Sequence, residues 1–271
     1  MAVLGQPAAT AQATGLELRV ENVTLQFAGL RALDDVSFTV PPGRLAALIG
    51  PNGAGKSSMV NCCTGLYRAT QGAVAIGGTD VTRMRAHKVA RLGVSRTFQN
   101  LALFKGMTVL ENLMVGRYLY GKTGIFRGML FLPGTVREEE QQRERVEEII
   151  DLLHLARHRN SYVPDLPYGI QKRVELGRAL VQDPKLVFLD EPMTGMSAEE
   201  KEDMSRFILD VHETFGITML LIEHDMAVVM SIAEQVVVLD FGCLIADGTP
   251  DEVQRNEAVI EAYLGRGAAA E

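Results

Sequence analysis

Residues 45–57 read Leu-Ala-Ala-Leu-Ile-Gly-Pro-Asn-Gly-Ala-Gly-Lys-Ser, and they decide the fold. The first five are a continuous apolar run, which predicts a strand buried on both faces. The next eight match G-x-x-x-x-G-K-[ST] and lead into helical spacing, the strand–loop–helix context of a phosphate-binding loop. In such a loop, backbone N–H groups and the helix N-terminus surround phosphate oxygens. The predicted phosphate contacts are Asn52, Gly53, Ala54, Gly55, Lys56, Ser57 and Ser58.

Two carboxylates follow a second apolar segment. Leu186–Leu189 runs directly into Asp190 and Glu191. An α/β sheet presents its site at the carboxyl ends of its strands, so these acids are expected near the phosphate loop. We expect Lys56 to reach the terminal phosphates and the Ser57 hydroxyl to ligate Mg²⁺. Asp190 would join the magnesium shell through water, and Glu191 would polarise the attacking water.

Apolar strands alternate with helical patterns along the rest of the chain. The other predicted elements are strands at 18–27, 72–76 and 217–222, a hairpin at 236–246, and helices at 56–66, 137–153, 204–215 and 252–263. This alternation predicts an α/β fold with a largely parallel sheet.

Composition excludes several classes of protein. The 271 residues include 27 Lys and Arg against 34 Asp and Glu, a net charge of −7, which argues against a nucleic-acid binder. No apolar run approaches the roughly 20 residues of a membrane-spanning helix. Three cysteines give neither a disulfide framework nor metal-ligand spacing. We therefore expect a soluble protein of a reducing compartment, with a disordered tail at 1–15 and a flexible one at 265–271.

Several motifs follow one another in a set order. They are the loop at 50–57, Gln99 in RTFQN, LPYGIQKR at 166–173, VFLDEP at 187–192 and LIEHD at 221–225. Together they resemble the nucleotide-binding subunits of ABC transporters over about 16–264. RTFQNLALFKGMTVLENLMVG, DEPMTGMS and GTPDEVQRNEAVIEAYLG further resemble the ATPases of branched-chain amino acid transporters. A long insertion at 117–135 resembles the longer, LivG-type, of that system's two ATPase subunits.

The resemblance implies a domain organisation. The expected fold is a P-loop NTPase (RecA-like) core with an antiparallel β subdomain and an inserted helical subdomain. The core would comprise about 16–98 and 181–250, the helical subdomain about 99–180, and a C-terminal helix 252–263.

The resemblance also implies roles for four further residues. Phe27 matches the aromatic position that stacks on adenine, although a buried strand residue is the alternative. Gln99 would touch Mg²⁺ and the attacking water, and His224 would contact the γ-phosphate. Gly169 would contact the nucleotide of a partner subunit.

The function implied is ATP hydrolysis that powers import of branched-chain amino acids or similar small polar solutes. The implied partners are a second ATPase subunit, as a heterodimer or a homodimer, two membrane permeases and an extracytoplasmic solute-binding protein, at the cytoplasmic face of the inner membrane. A urea or short-chain amide importer is one alternative, and a soluble ABC ATPase acting on nucleic acid or the ribosome is another. The chain lacks the second cassette or long coiled coil common in that class, and it lacks the guanine-reading sequence of a GTPase.

Two positions depart from the family pattern. The usual signature Leu-Ser-Gly-Gly-Gln is replaced by Leu-Pro-Tyr-Gly-Ile at 166–170, so Pro167 offers neither a hydroxyl nor an N–H. Ser197 stands where the family usually has Asp. Its spacing from Glu200 predicts a capping box for the helix that follows.

Overall fold

A computed structural model describes residues 14–97, 102–118 and 133–264. Their strands are β1 (Leu18–Phe27), β2 (Leu30–Val40), β3 (Leu45–Ile49), β4 (Gln71–Ile76), β5 (Thr79–Asp80), β6 (Val94–Arg96), β7 (Leu186–Asp190), β8 (Thr218–Ile222), β9 (Gln235–Asp240) and β10 (Cys243–Gly248). Their helices are α1 (Lys56–Cys63), α2 (Ala86–Ala90), α3 (Val109–Tyr118), α4 (Pro133–Leu152), α5 (Tyr168–Leu180), α6 (Ala198–Phe215), α7 (Met226–Ile232), α8 (Pro250–Gln254) and α9 (Glu257–Leu264). The predicted α/β class is confirmed.

The described residues form a central sheet of six strands in the order β10-β9-β3-β8-β7-β6. Neighbours from β9 to β6 run parallel, and β10 returns antiparallel to β9, as the predicted hairpin requires. Strands β3, β7 and β8 are buried along their whole length, which explains their unbroken apolar runs. Ile222 pairs with Leu48 on one side and with Asp190 on the other, so these three strands end at one edge.

An antiparallel sheet and α1 pack on one face of the central sheet. The antiparallel sheet has the order β2-β1-β4-β5. Its buried Val20 and Leu33 share a hydrophobic cluster with Leu48 and Phe188 of the central sheet and with Met59 of α1. The architecture matches the expected P-loop NTPase core with its antiparallel β layer.

Helices pack on the other face. Alternate side chains of β3 point to this face. They are Leu45, Ala47 and Ile49, and they belong to a hydrophobic cluster formed with helices α3 to α7. Helices α3, α4 and α5 lie between β6 and β7 in the chain and contact one another. The predicted amphipathic helix is confirmed as the end of α4.

Two predicted helices end differently in the structure. Helix α1 stops at Cys63 rather than near 66, because Gly65 has a φ of 74° and the N–H groups that follow turn back to Asn61. The single helix predicted at 252–263 is wrong, since α8 and α9 are separate. Asn256 lies between them, and its Oδ1 accepts hydrogen bonds from Ala258 N at 3.0 Å and Val259 N at 3.4 Å. An asparagine cap of this kind starts a new helix.

The disordered N-terminal tail predicted at 1–15 is too long, because residues 14 and 15 are part of the folded structure. The backbone N–H groups of Thr14 and Gly15 donate to the Gly216 carbonyl at 3.1 and 3.0 Å. Residues 1–13, Gln99, most of the predicted insertion (119–132) and residues 265–271 lie outside the described residues. None of the helices in the described part of the chain is long and apolar enough to cross a lipid bilayer.

Candidate nucleotide site

Residues 50–57 form the turn between β3 and α1, and two glycines make this turn possible. Gly50 has a φ of 147°, and a Cβ there would lie 2.1 Å from the Leu239 carbonyl oxygen. Gly55 has a φ of 101°, and a Cβ there would lie 2.7 Å from the Ala32 carbonyl oxygen. A side chain at either position would clash with backbone, so the loop requires glycine. No side chain caps α1, and an uncapped helix N-terminus favours an anion.

The Lys56 side chain lies against the loop, with 8% of the residue exposed. Its Nζ donates to the Gly50 carbonyl at 2.6 Å and to the Pro51 carbonyl at 3.1 Å. The ammonium is therefore held over the loop, where a lysine of this motif meets phosphates. Ser57 is exposed and Ser58 half-buried in the first turn of α1. The other predicted phosphate contacts, Asn52, Gly53, Ala54 and Gly55, lie on the preceding loop.

Asp190 ends β7 at the same sheet edge. Its side chain is 5% exposed, and its Oδ2 accepts a hydrogen bond from Arg96 Nη2 at 2.5 Å. Arg96 also donates to Asn61 Oδ1 at 2.7 Å, and the Asp190 N–H donates to Thr97 Oγ1 at 3.0 Å. The buried carboxylate is thus paired with a cation, as burial of a charge requires.

Glu191 follows directly and has an unusual backbone. Its φ is 46°, and its N–H donates to the Ile222 carbonyl at the end of β8, at 2.9 Å. The Thr194 hydroxyl donates to Glu191 Oε2 at 3.2 Å. The half-buried carboxylate is held beside the ends of β7 and β8.

His224 stands just beyond the end of β8. Its side chain is 57% exposed, and its Nδ1 lies 3.7 Å from Oε2 of the buried Glu223. Asp225 caps α7, accepting from Ala227 N, and Lys201 lowers the pKa of this carboxyl by hydrogen bonding to it. The imidazole is therefore presented to solvent from a well-anchored segment. The structure brings His224, Asp190, Glu191 and the phosphate loop to one edge of the sheet.

Phe27 lies at the end of β1, in the antiparallel sheet. It is 43% exposed, so it is not the buried strand residue that was the alternative. Its ring meets that of Tyr67 edge to face, with centroids 5.2 Å apart. Tyr67 is a second exposed aromatic residue beside Phe27. The two residues are far apart in the sequence, so no sequence pattern predicts their contact.

Gly169 is buried in the first turn of α5, and its neighbours belong to α6 rather than to the phosphate loop. A Cβ on Gly169 would lie 2.7 Å from Glu200 Oε1. Hydrogen bonds lower the pKa of the Glu200 carboxyl. The largest effects come from the N–H and the hydroxyl of Ser197, and a smaller one comes from the Gly169 N–H. The Tyr168 hydroxyl donates to the Thr194 carbonyl at 3.1 Å. The start of α5 is therefore fixed to the segment that joins Glu191 to α6.

Comparison with known proteins decides the family. A family model described as ABC transporter matches residues 33–194, which include the phosphate loop, Asp190 at the end of β7, and Glu191. The chain belongs to the ABC transporter family. A second model, described as branched-chain amino acid ATP-binding cassette transporter, matches residues 243–269 of the cassette. Nucleotide binding is a property of the family.

Curated relatives and solved structures agree with these matches. The cassette is 39% identical to the high-affinity branched-chain amino acid transport ATP-binding protein BraF of Pseudomonas aeruginosa, over 92% of this chain and 97% of BraF. It is 38% identical to LivG of Escherichia coli K12, with the same coverage. A nucleotide-free ATP-binding cassette from an ABC transporter is 33% identical, with a TM-score of 0.79 over 92% of this chain and 98% of that one. The resemblance found in the motifs is confirmed.

The cassette carries the predicted capping box at Ser197. The Glu200 N–H donates to Ser197 Oγ at 3.3 Å, and the Ser197 N–H donates to Glu200 Oε2 at 2.9 Å. The residue that replaces the family's usual Asp thus starts α6. Arg96 was missed by sequence reasoning, although it lies in the same short motif as Gln99. Arg96 ends β6, the strand beside β7, and a prediction that these two strands are neighbours would have placed Arg96 near Asp190.

Proposed function

We propose that the cassette is the ATP-hydrolysing subunit of an importer for branched-chain amino acids or similar small polar solutes. The observation that carries the proposal is the convergence of Lys56, the acids Asp190 and Glu191, and His224 at one edge of the sheet. The solute class is supported by the model matched at 243–269 and by relatives named for branched-chain amino acid transport.

The phosphate loop would bind the triphosphate of ATP through the backbone of residues 52–58. Lys56 would exchange its carbonyl partners for the terminal phosphates, and Phe27 would stack on the adenine. The Ser57 hydroxyl and the Asp190 carboxylate are oxygen donors of the kind that Mg²⁺ prefers, so these residues fit the ion. Ser57, Gln99 and Asp190, the last through water, would hold Mg²⁺, which neutralises charge on the phosphates.

The residues at the strand ends would perform the hydrolytic step. Glu191, fixed by Ile222 and Thr194, would orient and polarise the water that attacks the γ-phosphate. His224 would donate a hydrogen bond to the γ-phosphate as negative charge builds up on its oxygens. Both act from segments anchored on neighbouring strands, so their relative position is set before ATP arrives.

The cassette would work in an assembly. A second ABC ATPase subunit, most simply a sister subunit, would place its own phosphate loop opposite Gly169 of this chain. ATP bound between the two subunits would favour the closed dimer, and hydrolysis would let the dimer open again. Because ATP binds the closed conformation more tightly than the open one, this cycle would drive the two membrane permease subunits. A solute-binding protein outside the membrane would deliver the solute. The cassette would therefore lie on the cytoplasmic face of the inner membrane, without binding nucleic acid.

Transport by the reconstituted complex tests the proposal. The cassette is co-expressed with two candidate permeases, a second candidate ATPase and a candidate solute-binding protein, and the complex is placed in vesicles. We expect leucine uptake that requires ATP on the cassette side and is lost in Glu191→Gln. Uptake of urea or a short amide with no leucine uptake would contradict the solute class, and ATP-independent uptake would contradict the role of the cassette.

A further inference from the structure

The segment that carries Glu191 needs support from outside itself. A positive φ of 46° is rare for a residue with a side chain, and it persists only where neighbouring groups hold it. The segment 191–195 leaves β7 through this residue. What holds the segment therefore also decides where the Glu191 carboxylate lies.

Glu223 supports the segment from the side of β8. Its side chain is 1% exposed, and a carboxylate so buried requires hydrogen bonds to both oxygens. Oε1 accepts from the Met193 N–H at 3.0 Å, and Oε2 accepts from the His224 N–H at 3.2 Å. One carboxylate thus holds the backbone beside Glu191 and the backbone of His224 at the same time.

Tyr168 supports the same segment from the side of α5. Its hydroxyl donates to the Thr194 carbonyl at 3.1 Å, and the Thr194 hydroxyl donates to Glu191 Oε2 at 3.2 Å. Thr194 is therefore held by its carbonyl while its hydroxyl holds the Glu191 carboxylate. Glu223 and Tyr168 act on one segment from opposite directions.

We propose that Glu223 is a positioning residue for ATP hydrolysis, fixing the Glu191 carboxylate and the His224 imidazole relative to each other, with Tyr168 bracing the same segment. The proposal rests on the proposed function, because it assigns the supports of the groups that act on water and γ-phosphate. The proposal gives neither residue a contact with the nucleotide. Their loss should therefore lower kcat and leave the KM for ATP unchanged, since displacement of a positioned group slows the step it serves.

The first test is Glu223→Gln in the reconstituted complex. Glutamine keeps the shape but has one acceptor oxygen, so one of the two backbone N–H groups loses its partner whichever way the amide turns. We expect kcat to fall at least tenfold while the KM for ATP stays within twofold. Glu234→Gln is the matched control, because Glu234 Oε2 accepts from the Leu45 N–H at 2.9 Å at the opposite end of β3. Its kcat should stay within twofold of wild type.

Tyr168→Phe tests the brace with less risk to folding, because the ring is retained and 39% of the residue is exposed. We expect kcat to fall two- to fivefold at unchanged KM. Tyr162→Phe, at a tyrosine that is 55% exposed, should behave as wild type. If Glu223→Gln binds no nucleotide, Tyr168→Phe decides the question by itself.

The proposal is overturned if Glu223→Gln keeps wild-type kcat, or if it changes kcat no more than Glu234→Gln does. If Glu223→Gln does not bind ATP, the proposal is overturned when Tyr168→Phe has the same kcat as Tyr162→Phe. These results leave the proposed function intact as long as wild type hydrolyses ATP and Glu191→Gln does not. A wild-type complex without ATPase activity would instead remove the proposed function.

Discussion

Replacement of Arg96 by methionine should destabilise the fold because it leaves the Asp190 carboxylate buried without its cation. Asp190 is 5% and Arg96 14% exposed, and their nearest atoms are 2.5 Å apart. At about 4 Å between charge centres and an effective dielectric of about 20, the attraction is about 4 kcal/mol. Breaking a buried pair costs about 3–5 kcal/mol. Partial access of water to the site places the expected loss near the lower value, about 3 kcal/mol.

Urea unfolding followed by circular dichroism measures this loss, since the chain has no tryptophan to report by fluorescence. Arg206→Met is the matched control, because the Arg206–Glu202 pair is 66% and 67% exposed and should contribute less than about 1 kcal/mol. Adding Asp190→Asn to Arg96→Met should recover part of the loss by removing the uncompensated charge. Equal losses for Arg96→Met and Arg206→Met would show that the buried pair contributes no more to stability than the exposed pair.

Three other predictions concern the edges of the site. Phe27→Ala should weaken ATP binding by about 1–3 kcal/mol, the range for one base–aromatic stack, with kcat retained; affinity equal to that of the Tyr162→Ala control in calorimetric titration would contradict the stack. Gly169→Asp should lower ATP turnover of the complex more than tenfold, about 1.4 kcal/mol of barrier, because it places a carboxylate against Glu200 and the partner's phosphate. Pro167→Ser should change turnover less than threefold (about 0.6 kcal/mol). Unchanged turnover in Gly169→Asp would show that this segment does not contact nucleotide. Ser197→Ala should cost about 1 kcal/mol of unfolding free energy by loss of the cap. The Ser197 N–H, which alanine keeps, lowers the pKa of Glu200 most, and the Ser197 hydroxyl lowers it further. Only the hydroxyl's part of the difference should therefore disappear as acid protonates Glu200, and a difference that grows in acid would contradict it.

Local patterns carried the parts of the fold that were predicted correctly. The turn at 50–57 and the fully buried β3, β7 and β8 follow from short motifs and unbroken apolar runs, which depend on neighbours in the sequence. The meeting of Asp190 and Ile222 at one edge could also be expected, because parallel strands present their carboxyl ends together. The capping box at Ser197 is equally local.

The errors and omissions have a different physical origin. The pairing of Arg96 with Asp190 joins residues 94 positions apart, and no sequence period encodes such a contact. The break at Asn256 depends on a cap, and apolar spacing on the two sides of 254–257 does not report a cap. The contact between Gly169 and Glu200 likewise depends on how α5 meets α6. The chemical roles of the predicted site residues stay predictions, including those of Gln99 and of Gly169 toward a partner's nucleotide.

Single-turnover kinetics of Glu191→Gln, with Lys56→Ala as a companion variant, test whether Glu191 activates the water that attacks ATP. ATP binding and ATP cleavage are followed separately in the reconstituted complex. We expect Glu191→Gln to bind ATP as wild type does and to cleave it about 10²–10⁴-fold more slowly, the range for loss of a general base. Lys56→Ala should bind and cleave ATP poorly, because the Lys56 ammonium is held over the loop by the Gly50 and Pro51 carbonyls, where it would meet the terminal phosphates. Cleavage by Glu191→Gln within about threefold of wild type, far below that range, would contradict the role of Glu191 as general base.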